Sequence, residues 1–203
     1  MTQLETLSLE LMATTNHPLR NPAQLINQDS GKVEYYTPEF ITHAAREVMG
    51  GIDLDPASSP EANQRVEATE FYTLTDNGLA QRWYGRVWMN HPFGRNRNSR
   101  WINKLIWEYE VGEVEQACCL TFASTSEKWF KPLFAYPICF LSPRTNFILP
   151  DGSVKRGVTK GSVVTYLGHR VVAFVKAFSP LGKVMLPAWR IEEQHLAWHS
   201  QDG

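Results

Sequence analysis

Cysteine is scarce in this chain, and the three that occur fit no metal-binding spacing. Cys118 and Cys119 are adjacent in an apolar run and Cys139 stands alone. With no Cys-x-x-Cys and no Cys/His cluster, neither a zinc site nor a disulfide framework is supported. Buried free thiols in a reducing compartment are expected, and no metal is expected. No stretch of about 18 consecutive apolar residues is present, and the first residues lack a basic segment followed by an apolar one. Neither a membrane partner nor secretion is therefore expected. Charge of one sign is lacking too. The formal net charge is -1, so any nucleic-acid footprint must be local rather than global. No internal repeat is visible.

What is present suits one soluble globular domain of 203 residues, with 43% hydrophobic and 20% charged residues. Aromatics reach 12%, seven Trp among them, so several large rings must find burial or a ligand to stack on. Residues 1–32 read as a polar arm, 33–190 as the folded domain and 191–203 as a tail. Thr37-Pro38-Glu39 predicts a helix start with Thr37 as N-cap and Pro38 in the first helical position. Phe40, Ile41, Ala44, Ala45 and Val48 follow at helical spacing, and Gly50-Gly51 stops the element. Short apolar strands are expected at 52–54, 86–89, 116–122, 138–141, 163–167 and 183–186. Helices are expected at 101–109, 126–134 and 170–178, a loop-rich stretch at 58–84, and a hairpin or excursion around Asp151-Gly152. Alternating strands and helices predict an α/β sheet with helices on its faces, and ligands in such sheets bind beyond the carboxyl ends of strands.

Two segments fall at such ends: Asp53-Leu54-Asp55-Pro56-Ala57 and Asn90-His91-Pro92-Phe93. Each has an ordinary reading, the first as loop carboxylates capping a turn and the second as a strand-ending turn rich in Asn and Pro. Their order and context favour more. Tyr35-Tyr36-Thr37-Pro38 precedes them; Phe71-Tyr72-Thr73, Asp76-Asn77-Gly78-Leu79 and Trp83 lie between; Trp101, Lys128-Trp129-Phe130 and Gly161-Ser162 follow. In this the chain resembles the small phage-encoded DNA N6-adenine methyltransferases of the Dam type, from Glu34 to about Leu167.

The resemblance implies a Rossmann-like S-adenosylmethionine-dependent methyltransferase sheet with helices on both faces. It also implies a DNA partner containing the target adenine, action in the cytoplasm of a bacterial host, and escape from host restriction. Tyr36, Thr37, Pro38, Asp53, Asp55, Pro56, Ala57 and Asp76 are the implied cofactor-binding residues, with one of Asp53 and Asp55 near the methionine ammonium. Ser58-Ser59-Pro60 stands where the broader methyltransferase group carries Gly-x-Gly, so no Gly-rich phosphate cradle is expected here.

The amino group of adenine is conjugated with its ring and is a poor nucleophile. In the resembled enzymes, the Asn oxygen and the next backbone carbonyl accept its hydrogens while an aromatic ring stacks on the base. Asn90, His91, Pro92 and Phe93 are the corresponding catalytic candidates. His91 replaces the usual proline; its carbonyl is kept, but the φ restriction is lost and a titratable ring is added. Activity is expected to be retained, at a slower rate. Arg95, Arg97, Arg100 and Lys104 form the first basic group expected at the DNA backbone, and Lys155, Arg156 and Lys160 a second. Two other functions remain open on sequence alone. One is a methyltransferase acting on RNA or a glutamine amide; the other is a nucleic-acid-binding protein that keeps the fold without catalysis.

Overall fold

The computed structural model describes residues 35–93 and 97–188. The expected arm, the tail and Arg95 lie outside the described residues. Helix α1 (Glu39–Met49) leads to β1 (Leu54–Asp55), α2 (Pro60–Val66), β2 (Glu70–Phe71) and β3 (Gly85–Met89). Then come α3 (Asn98–Glu110), β4 (Val114–Phe122), β5 (Ile138–Leu141), β6 (Ser162–Leu167), α4 (Val171–Phe178) and β7 (Gly182–Met185). The seven strands form one mixed sheet in the order β2-β1-β3-β4-β6-β5-β7. Four neighbours, β2, β1, β3 and β4, run parallel. Beyond them β6 is antiparallel to β4 and β5, and β7 is antiparallel to β5.

Strand alternation divides the core in two. On one face Trp88, Cys118, Leu120, Val164 and Tyr166 pack with Ile41, Ala45 and Val48 of α1 and with Phe174 and Phe178 of α4. On the other, Val87, Met89, Ala117, Cys119, Val163 and Leu167 pack under Trp101, Ile102 and Leu105 of α3. Period 2 in the strands thus meets period 3.6 in the helices. The sheet is covered by helices on both faces, and each fully buried large side chain contributes roughly 1.5–3 kcal/mol. This is the expected α/β class.

Local departures from the sequence expectation have physical causes. Thr37 does not cap α1: the helix begins at Glu39, flanked by an extended Pro38, and the Thr37 hydroxyl is used elsewhere. Phe40 is 55% exposed, because the buried stripe is centred on Ile41, Ala45 and Val48. Gly50 does end α1, at φ 80°, donating its N–H to the Arg46 carbonyl at 2.7 Å. The supposed loop at 58–84 contains α2, capped by the Ser59 hydroxyl accepting from the Ala62 N–H at 3.2 Å, and the two-residue β2. A helix that buries only Val66 leaves little periodic signal. The expected helix at 126–134 is a series of turns and a 3-10 segment, Lys131–Ala135, since Pro132 lacks the N–H an α-helix interior needs. Around Asp151-Gly152 the chain makes an excursion held by single bridges, Tyr36 to Ile148 and Ile148 to Val154.

Candidate active site

Because β1, β3 and β4 are parallel neighbours, their carboxyl ends share one edge of the sheet. Asp55 ends β1, Asn90 follows Met89 of β3, and Phe122 ends β4. The two sequence segments are therefore brought to the same edge, as the topology of parallel strands requires. Tyr36, Thr37 and Pro38 are buried. They are tied to the excursion by the Tyr36 N–H to the Ile148 carbonyl at 2.8 Å and the reverse bond at 2.9 Å.

Asp53 and Asp55 have separate fates, because they stand at opposite ends of a very short strand. Arg86, near the amino end of β3, donates to Asp53 through its guanidinium at 2.8 and 2.6 Å and through its backbone N–H at 2.8 Å. That pairing holds the Asp53 carboxyl below the usual carboxylate range despite partial burial. Its capacity is consumed in joining β1 to β3, away from the edge where Asn90 lies. Asp55 is 2% exposed, and among the described residues no basic side chain pairs with it. Burial pushes its carboxyl up to about 7, with the Ala57 N–H at 3.0 Å and the neighbouring Ser58 hydroxyl pulling the other way.

The turn after β1 rests on a close backbone approach. A Cβ on Gly78 would lie 1.9 Å from the Pro56 carbonyl oxygen, so only glycine fits there. Trp83, fully buried, donates its indole N–H to the Gly78 carbonyl at 2.7 Å. Asp76 is exposed, and its carboxylate accepts from the Thr73 N–H at 2.8 Å and hydroxyl at 2.6 Å, which lowers its pKa.

Asn90 donates its amide to the Thr37 hydroxyl at 3.1 Å, while its side-chain oxygen is buried without a partner among the described residues. An orphaned buried acceptor costs on the order of 1–3 kcal/mol, so a site that keeps one is suited to a donor from outside. Next to it, the His91 imidazole stacks on Trp101 at 6.1 Å between centroids and meets Phe93 edge-on at 5.2 Å. Burial pushes the His91 pKa down to about 4, so at neutral pH the ring carries no charge. Phe93 in turn packs on Phe122, centroids 4.2 Å apart, and the Lys160 ammonium lies 5.1 Å from the Phe122 ring centre. Sequence reasoning read Phe122 only as the end of a strand; its place beside Phe93 follows from the β3–β4 pairing. Pro92 is exposed at the turn.

A buried unpaired carboxyl, an orphaned amide oxygen and an aromatic face at one sheet edge are what a cationic cofactor and an amino substrate would need. The model of the DNA N-6-adenine-methyltransferase (Dam) family matches residues 26–174, well over half of the chain. The chain belongs to that family. Comparison with curated proteins gives no match.

For a member of a DNA adenine methyltransferase family, the basic residues matter as much as the sheet edge, and the structure separates them. Arg97 and Arg100, at the start of α3, are exposed, as are Arg156 and Lys160. Lys155 is half-buried and lies 5.8 Å from the Tyr35 ring centre. Lys104 differs. It is 20% exposed, pairs with Glu108 at 2.5 Å and covers Trp83 at 5.2 Å, so its charge is neutralised by the helix itself. Among the described residues no group of three or more His, Cys, Asp or Glu side chains could hold a metal ion. Among the same residues no helix is long and apolar enough to cross a membrane.

Proposed function

We propose that this family member transfers a methyl group from S-adenosylmethionine to N6 of an adenine turned out of the DNA stack. The buried, partnerless oxygen of Asn90, held in orientation by Thr37, is the observation that carries the reading. That oxygen accepts one hydrogen of the adenine amino group, and the His91 backbone carbonyl accepts the other. The two acceptors draw the nitrogen toward tetrahedral geometry and offset the positive charge that develops on it. Placed dipoles of this kind contribute on the order of 3 kcal/mol each. Phe93, backed by Phe122, offers the base a stacking surface worth roughly 1–3 kcal/mol.

The cofactor supplies an electrophilic methyl on a sulfonium. The residues fit such a group: Asp55 is a buried carboxyl lacking a cation, and the methionine ammonium would pair with it. Pro56, Ala57 and the Thr37-Pro38 segment would line the same end, whereas Asp53 is occupied by Arg86. Asp76 would reach the cofactor only from the exposed Thr73 turn. Extruding an adenine costs a few kcal/mol, and Arg97, Arg100, Lys155, Arg156 and Lys160 offset it through the phosphates.

Nucleoside mass spectrometry on DNA treated with the purified chain tests this reading. N6-methyladenine is expected with the wild-type chain and at least about 100-fold less with Asn90→Ala. Wild-type DNA levels no higher than those of the Asn90→Ala control would sink it.

A further inference from the structure

Asn98 itself takes no part in the chemistry above, yet it is 8% exposed in the first turn of α3 and touches the catalytic turn. Its side-chain oxygen lies 3.2 Å from His91 Nε2. The His91 ring, 1% exposed, is thereby held at one nitrogen, on its face by Trp101 and at its edge by Phe93. A ring pinned at these points cannot follow a rotation of its own backbone without breaking the stack or the hydrogen bond. Proline would restrict φ through its own covalent ring. Here the restraint comes from tertiary contacts.

We infer that Asn98 is a positioning residue: through the His91 imidazole it fixes the turn whose carbonyl at position 91 serves as the second acceptor. This rests on the adenine-amino methylation proposed above. With the Asn98 oxygen as acceptor, the proton of the neutral imidazole resides on Nε2, and Nδ1 is a bare, buried acceptor without a partner. Protonation does not break the lock near neutral pH, because burial keeps the ring neutral there. The chain therefore replaces a one-residue covalent restraint with a lock in which Asn98, Trp101 and Phe93 together hold His91.

The lock predicts non-additivity. Asn98→Ala lowers kcat about tenfold, while KM for cofactor and DNA stays within about twofold. In a His91→Pro background, the same Asn98→Ala change costs less than about twofold, since proline needs no lock. A penalty equal in both backgrounds, or none in the wild-type background, overturns the inference. Should His91→Pro fail to fold, ¹⁵N NMR of the imidazole decides instead. The wild-type ring is expected as the Nε2–H tautomer and the Asn98→Ala ring as a mixture. An unchanged ring spectrum overturns the lock itself, whereas a wild-type chain that forms no N6-methyladenine overturns the reading beneath it.

Discussion

At the scale of single residues, two buried titratable groups pull stability in opposite directions. Asp55 has a carboxyl raised from 3.8 to about 7. Between those values the folded chain keeps a proton that the unfolded chain has released, so stability is lost as pH rises through this window, by up to about 4 kcal/mol. His91 is lowered from 6.5 to about 4. Between those values the unfolded chain takes up a proton that the folded ring refuses, so stability is lost as pH falls. The two slopes nearly cancel from pH 4 to 6.5 in the wild-type chain. Asp55→Asn is expected to raise Tm at pH 8, to leave it close to wild type near pH 4, and to uncover the His91 slope between; thermal denaturation across pH checks this. Under the proposed function the same carboxyl would pair with the methionine ammonium, and that pairing requires the ionised form. Affinity in calorimetry should rise up to tenfold per pH unit below 7 and level off above, a dependence that Asp55→Asn abolishes together with most of the binding. A residue kept at a cost to stability is what a binding site requires.

Among the elements, α3 joins three tasks on its successive faces. Trp101, Ile102 and Leu105 anchor it to the sheet, Asn98 reaches His91 in the turn after β3, and Arg97 and Arg100 are left to solvent. Lys104, four residues before Glu108, belongs to the first task rather than the last. DNA binding measured against salt concentration separates them. Arg100→Ala and Lys160→Ala should each weaken binding on all sequences and lower the salt slope by about 0.9, whereas Lys104→Ala should leave the slope unchanged. A slope change with Lys104→Ala equal to that of Arg100→Ala would contradict the assignment. The start of α1 shows a similar division of labour. Its sequence looks like a capping signal, but Thr37 turns its hydroxyl toward Asn90 and leaves the helix end without a side-chain cap.

Across the whole molecule, a single sheet with both faces covered sets what is reachable. Cys118 and Cys119 alternate onto opposite faces, and with Cys139 all three thiols are buried, with pKa values pushed up by burial. A thiol reagent at pH 8 is therefore expected to label none of these three in the folded chain and all three after denaturation; fast labelling of the native protein would contradict the described core. The expectation of free buried thiols was legible from the apolar run alone. So were β3 to β6 and both site segments, because strand alternation and residue chemistry are local properties carried by a few neighbouring positions. The helix α2 and the 3-10 segment were not, since each buries a single side chain, Val66 and Leu133, and one buried position sets no repeating pattern. Asp55 could be told from Asp53 only once Arg86, 33 residues beyond Asp53, had been brought to its side. The partner of Asn90 lies 53 residues away, across two other strands. The sequence by itself determined which groups the chain brings to this sheet edge: a carboxyl at the end of the first strand, an amide and an aromatic ring after the third. Tertiary structure alone decided which of them stay unpaired, because burial and hydrogen-bond partners are set by the packing of distant strands. That packing leaves the Asn90 oxygen without a donor and the Asp55 carboxyl without a cation among the described residues, while Arg86 neutralises Asp53 and Glu108 neutralises Lys104.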